Sequence, residues 1–150
     1  MIYGETLQPG VNLSNLNTSS KAIYTLISSA EEMPGDRLPL FCHAADVAAA
    51  HVRWLSSTTA SPQRYLLFGG AFNWAMAAEY IAESRPDLKD RLPKGWEQAV
   101  AEKKDPEASY AVLDCTPAKE ELKMTFQDWK ITLDDSLNSL LNLEQNSDWK

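Results

Sequence analysis

Cysteine and histidine are scarce in this 150-residue chain, which holds two of each: Cys42, Cys115, His43 and His51. The cysteines lie far apart, each in an apolar run that reads as strand, and no CxxC pair exists, so buried free thiols are expected rather than a disulfide. With two histidines, and acidic residues mostly at solvent-facing helix positions, no ligand set with zinc-like spacing can be assembled. Long apolar runs are missing too. Nothing approaches the roughly 20 residues that cross a bilayer, and Met1-Ile2-Tyr3-Gly4-Glu5 lacks the basic-then-apolar order of a secretory signal. The expectation is no membrane partner and a cytoplasmic setting. Positive charge is thin: 14 Lys and Arg against 21 Asp and Glu give a net charge of −7, with the basic residues scattered and only Lys103 and Lys104 adjacent. Nucleic-acid binding needs clustered cations to displace counterions from phosphates, so no nucleic-acid partner is expected. The six glycines nowhere form GxGxxG or GxxGxxG.

What remains has ordinary globular composition, 44% hydrophobic and 23% charged, and the length suits one domain over residues 1–150. A chain of this size buries roughly two-thirds of its unfolded surface. Met1 to Gly4 reads as a strand stub. Asn17 or Thr18 caps a helix whose apolar positions Ala22, Ile23, Leu26, Ile27 and Ala30 recur at helical spacing, ending before Pro34 and Gly35. Leu38 to His43 is a strand candidate. Asp46 then stands where an N-cap carboxylate accepts free first-turn amides, opening a helix from Val47 to about Ser57 with Val47, Ala50, His51, Trp54 and Leu55 on one side. Ser56 to Pro62 reads as a loop, and Arg64 to Gly69 as a strand apolar on both faces.

Asn73 caps a further helix with Met76, Ala77, Tyr80 and Ile81 inside; Asp87 to Trp96 reads as a charged turn region, the stretch on to Pro106 as an exposed excursion, and Tyr110 to Asp114 as a strand. Thr116-Pro117 opens a short helix to Leu122. Trp129, Leu133, Leu137, Leu140 and Leu141 form a stripe along a final helix of about four turns, with Gln145 to Lys150 as a polar tail. The fold class is therefore α/β, with short parallel-type strands and about five helices. Both faces of a parallel sheet need cover, which a chain with so few elements supplies incompletely, so a partner, most simply a second copy in a homodimer, is expected.

Several stretches in the right order resemble the extended short-chain dehydrogenase/reductase family, within the NAD-dependent epimerase/dehydratase superfamily, and in particular fungal carbonyl and ketone reductases. Phe41-Cys42-His43-Ala44-Ala45-Asp46-Val47-Ala48-Ala49-Ala50-His51 resembles the family's Phe-Val-His-Val-Asp-Asp-Val-Ala-x-Ala-His and is the most specific piece. Met1-Ile2-Tyr3-Gly4 is similar to its Val-Tyr-Gly-Pro, and Leu16-Asn17-Thr18-Ser19 to the opening of the helix that follows. Arg64 to Leu67 with Gly69 to Trp74, Leu88 to Pro93, and Asp114 to Leu122 resemble later family segments. The departures are Glu5 where the family tends to proline, Pro117 where it has lysine and Lys123 where it has glycine.

The resemblance covers the carboxy-terminal, substrate-binding part of such an enzyme. A family reductase holds NADP on a glycine-rich turn and activates the carbonyl with Ser and a Tyr-x-x-x-Lys pair, and neither pattern occurs in these residues. The expectation is no cofactor and no hydride transfer by this chain alone. One reading is a truncated homologue performing a redox-neutral step (isomerisation, cyclisation or dehydration) on a polyketide-like secondary-metabolite intermediate. The alternative is a non-catalytic substrate-binding fragment or subunit of an NADPH-dependent carbonyl reductase. The first is preferred here, because a bare fragment would expose an apolar face and aggregate. His43 is the candidate general acid or base, against a hydrogen-bonded histidine at a strand end. Asp46 is a candidate catalytic carboxylate, against an N-cap. Tyr3, Tyr24 and Trp74 are candidate apolar walls of a small-molecule site, against core packing, and Glu5 and Asn17 join them because the resemblance puts their loop beside the substrate cleft.

Overall fold

The computed structural model describes residues 1–35, 38–58 and 63–147. Three short strands, β1 (Ile2–Tyr3), β2 (Leu40–His43) and β3 (Gly70–Ala71), lie in the order β1-β2-β3. β1 runs parallel to β2, with Ile2 opposite Cys42 and Tyr3 opposite His43; β3 runs antiparallel, with Leu40 opposite Ala71. The sheet is therefore mixed. Six helices surround it: α1 (Thr18–Thr25), α2 (Ala44–Ser56), α3 (Trp74–Ser84), α4 (Trp96–Ala101), α5 (Thr116–Glu120) and α6 (Trp129–Ser147). The α/β class holds.

The core forms where three helices turn apolar stripes inward. Ile23, Leu26 and Ile27 from α1 and the turn after it, Ala77, Ala78 and Ile81 from α3, and Leu133, Leu137 and Leu140 from α6 are all fully buried. Removing one such Leu or Ile side chain from water is worth about 1.5–3 kcal/mol. Asn17 and Asn73 cap α1 and α3 as expected, each accepting an amide at 2.9 Å, from Ser20 and Met76. A second, smaller core joins Ala50 to Ala118, Leu122 and Met124.

Four expectations are corrected. Arg64 to Gly69 and Tyr110 to Asp114 form no ladder; from the first only the Gly69 amide reaches Phe41 O, at 2.8 Å, and Val112 of the second is exposed. A strand needs a partner as well as apolar residues. The turn region from Asp87 buries Leu88 and Leu92 around a 3₁₀ turn at Lys89–Arg91, and the excursion after it opens with α4 before residues 102–105 run exposed. On α2 the expected inner stripe faces outward: Ala50 is buried, but His51, Trp54 and Leu55 are exposed, and the His51 ring bonds its own helix at Val47 O, 2.7 Å. Finally, α2 starts three residues early because its cap is His43, not Asp46. Of the expected loop after α2, residues 59–62 lie outside the described residues, as do 148–150 of the expected tail. No helix among the described residues is long and apolar enough to cross a membrane. Both cysteines are free and buried, and burial pushes the Cys42 thiol up to about 11.

Candidate functional site

β1 ends at Tyr3, and Gly4 turns the chain with φ +132, a conformation that suits glycine because it has no Cβ to strain the backbone; a Cβ there would also lie 3.2 Å from the His43 ring. The loop that follows is fastened by α6. Ser136 Oγ accepts the Gly4 amide at 2.8 Å while donating to Thr132 O, and Ser139 Oγ accepts the Thr6 amide at 2.8 Å. Between this loop and the start of α1 lies a cleft of about 80 Å³, lined by Tyr3, Gly4, Glu5, Thr6, Asn17 and Ser20 among others. Three of the sequence-predicted residues, Tyr3, Glu5 and Asn17, thus meet at one place.

Tyr3 also faces the other way. Its ring packs edge-on to Trp74, 6.2 Å between centroids, and the two line a narrow cavity of about 30 Å³ with Phe72 and Pro39. Burial pushes the Tyr3 hydroxyl up to about 12, so it stays protonated near neutrality. Trp74 donates its indole N–H to Gly35 O at 3.2 Å. Tyr24 is not brought to the cleft: its hydroxyl donates to Glu144 at 2.8 Å, beside the two Arg91 donors at 2.9 and 2.8 Å on the same carboxylate. The Arg91 guanidinium holds Glu144 below the usual carboxylate range, against the opposing effect of burial.

His43 stands directly behind Gly4 and is 6% exposed. Its Nδ1 accepts the Ala45 amide at 3.0 Å, which places the ring proton on Nε2, 3.1 Å from Asp135 Oδ2. Both nitrogens are engaged. Asp46 is buried at the third position of α2, where Oδ2 accepts the Gln127 amide at 2.9 Å, tying α2 to the segment leading into α6. Sequence reasoning missed Asp135, Ser136 and Ser139. The available signal was the pair Thr132 and Ser136, two small hydroxyls four apart beside the leucine stripe, both buried.

A dinucleotide pyrophosphate needs backbone amides opened by glycine at a helix start. The one glycine pair, Gly69-Gly70, does precede α3, but a Cβ at Gly69 would sit 3.0 Å from Phe41 Cε2 and one at Gly70 3.2 Å from Phe41 Cε1. A buried phenyl ring fills the space a phosphate would need, and Asn73 already takes the α3 amide of Met76. The described residues do not fit the pyrophosphate of NADPH, and no group of three or more His, Cys, Asp or Glu among them is arranged to hold a metal ion.

No family model matches the chain. It is 32% identical over 132 residues to the putative NADPH-dependent methylglyoxal reductase GRP2 of Candida albicans, covering 87% of this chain and 38% of that protein. Ketoreductase azaE of Aspergillus niger is 28% identical over 144 residues, 94% of this chain and 41% of that one. The crystal structure of Gre2 from Candida albicans superposes with a TM-score of 0.73 at 25% identity, over 95% of this chain and 42% of that chain. The chain therefore spans about two-fifths of the length of the relatives it matches. In sequence and in fold it belongs with the fungal NADPH-dependent reductases of the extended short-chain dehydrogenase/reductase family, and it corresponds to their carboxy-terminal part.

Proposed function

We propose that the chain is the substrate-holding portion of a carbonyl reductase: it binds a small aldehyde or ketone and does not itself transfer hydride. The observation that carries this reading is the commitment of His43. A redox-neutral isomerisation, cyclisation or dehydration needs a side chain that takes and returns a proton. His43 does so only by surrendering the α2 cap or the Asp135 bond, and Asp46 is spent on the Gln127 amide. Binding needs neither. Glu5 and Asn17 offer polar contacts, Tyr3 an aromatic wall that Trp74 extends, and Tyr24 supports the opposite end of α1. The cleft, about 80 Å³, is well below the roughly 300–1,000 Å³ of drug-sized sites, which suits one face of a three- or four-carbon ligand. The relative named a methylglyoxal reductase supports the same ligand class.

Saturation-transfer NMR with hydroxyacetone, a stable analogue of methylglyoxal, tests the reading. Binding that weakens in Glu5→Ala, with no loss of NADPH absorbance, is the expected result. Turnover of the ketone without nucleotide favours the redox-neutral enzyme instead, and NADPH consumption by this chain alone refutes both readings. The proposal includes a homodimer, in which a second copy would cover exposed apolar side chains such as Leu7, Leu38, Val52 and Leu55; a monomer mass by light scattering rules it out.

A further inference from the structure

We propose that the ligand of the cleft between the β1 loop and α1 carries a hydroxyl on the carbon next to its carbonyl, an inference that rests on this cleft being the site of carbonyl binding. The cleft has two unlike sides. On the loop side stands Glu5, the one charged side chain in the lining. Among the described residues no hydrogen bond or ion pair engages its carboxylate, which accepts hydrogen bonds and donates none. On the helix side stands Asn17. Its Oδ1 is taken by the Ser20 amide and the Ser19 hydroxyl, each at 2.9 Å, so what it offers the cleft is its Nδ2 hydrogens. The Thr6 and Ser20 hydroxyls, 3.4 Å apart in the same lining, donate or accept as a ligand requires.

This pairing of an acceptor with a donor selects the ligand. A plain ketone accepts from Asn17 but leaves Glu5 covered and without a donor, which is costly. A keto acid sets a second anion against the first, and no lysine or arginine lines the cleft to offset it. Lys21 is exposed and lies one residue past Ser20 and two before Ile23, spacings that put it round α1 from both. A hydroxyl beside the carbonyl donates to Glu5 while the carbonyl oxygen accepts from Asn17, and a three-carbon molecule is enough to present the two. An ammonium in place of the hydroxyl reaches Glu5 as well, but it meets the positive end of α1, which opens on this cleft. Glu5 stands where the resembling reductases tend to proline, which has no side-chain acceptor. The preference for a hydroxyl therefore belongs to this chain rather than to those reductases.

The test compares hydroxyacetone with fluoroacetone, which is close to it in size but has no hydroxyl hydrogen, and with pyruvate and aminoacetone. Each is titrated into the whole chain and followed by the Asn17 side-chain amide resonances, assigned by their loss in Asn17→Asp. Hydroxyacetone should bind tightest, fluoroacetone roughly five-fold weaker, the effect of one hydrogen bond to an exposed carboxylate, and pyruvate weakest. Glu5→Ala should bring hydroxyacetone down to the level of fluoroacetone. Asn17→Asp keeps a capping oxygen for α1 but replaces the donors with an acceptor, so by saturation transfer it should weaken both ketones together. Equal binding of hydroxyacetone and fluoroacetone, tighter binding of pyruvate or aminoacetone, or a Glu5→Ala protein that still prefers hydroxyacetone overturns the hydroxyl assignment and leaves the carbonyl site standing. Binding by none of the four overturns both.

Discussion

His43→Ala separates a structural histidine from a catalytic one. The ring caps α2 through Nδ1 and holds Asp135 through Nε2. Loss of a good N-cap costs about 1 kcal/mol. The bond to Asp135, whose side chain is 42% exposed, adds roughly 0.5–1 kcal/mol. The sum is about 2 kcal/mol. With a urea m-value of roughly 1–3 kcal/mol/M for a small protein, the unfolding midpoint should fall by about 1 M. His43→Asn restores a capping oxygen without reaching Asp135, so it should recover about half of the loss. Asp135→Ala, which leaves the cap intact, should cost less than 1 kcal/mol or so. A His43→Ala protein within about 0.5 kcal/mol of wild type, or an asparagine variant no better than alanine, refutes the reasoning.

Ser136→Ala strands the buried Gly4 amide, so thermal unfolding should report a loss of about 1–3 kcal/mol, with faster hydrogen exchange at Gly4. Lys123 holds φ +53, a left-handed conformation, where the family has glycine. Lys123→Gly should therefore stabilise by about 1 kcal/mol in urea titration. Glu144 is held below its ordinary value by Arg91, so the unfolded chain takes up its proton first. Its contribution is complete above the unfolded value of about 4.3 and is lost as pH falls through the lower folded value. Glu144→Gln should flatten the fall of stability with pH below about 4.3, measured by urea midpoints.

The helices α1, α3 and α6 were the most legible elements, because a capping residue or an apolar stripe at helical spacing marks each of them. Asn17 and Asn73 cap as read, and Leu133, Leu137 and Leu140 are buried as the stripe requires. The strands were less legible, since a ladder depends on a neighbour that no local pattern contains: Arg64 to Gly69 has the composition of a strand but joins no ladder. α4 was hidden by Pro93, although Leu88, Leu92 and Trp96 recur every fourth residue and all pack on the core. At the cleft, Tyr3, Glu5 and Asn17 lie within 14 residues of one another and were found together. Their fastenings on α6 were not, because the bonds from Gly4 and Thr6 span 132 and 133 positions. The cap formed by His43 was misassigned to Asp46 because imidazole is an uncommon capping group and aspartate a favoured one.

Those long bonds set an order of events during synthesis. Gly4 and Thr6 cannot hold their final loop until α6, more than 130 positions further along, has been made and has docked. Order in the loop after β1 is therefore a readout of whether α6 has docked, and any clipping inside α6 should be felt there before it is felt in the sheet.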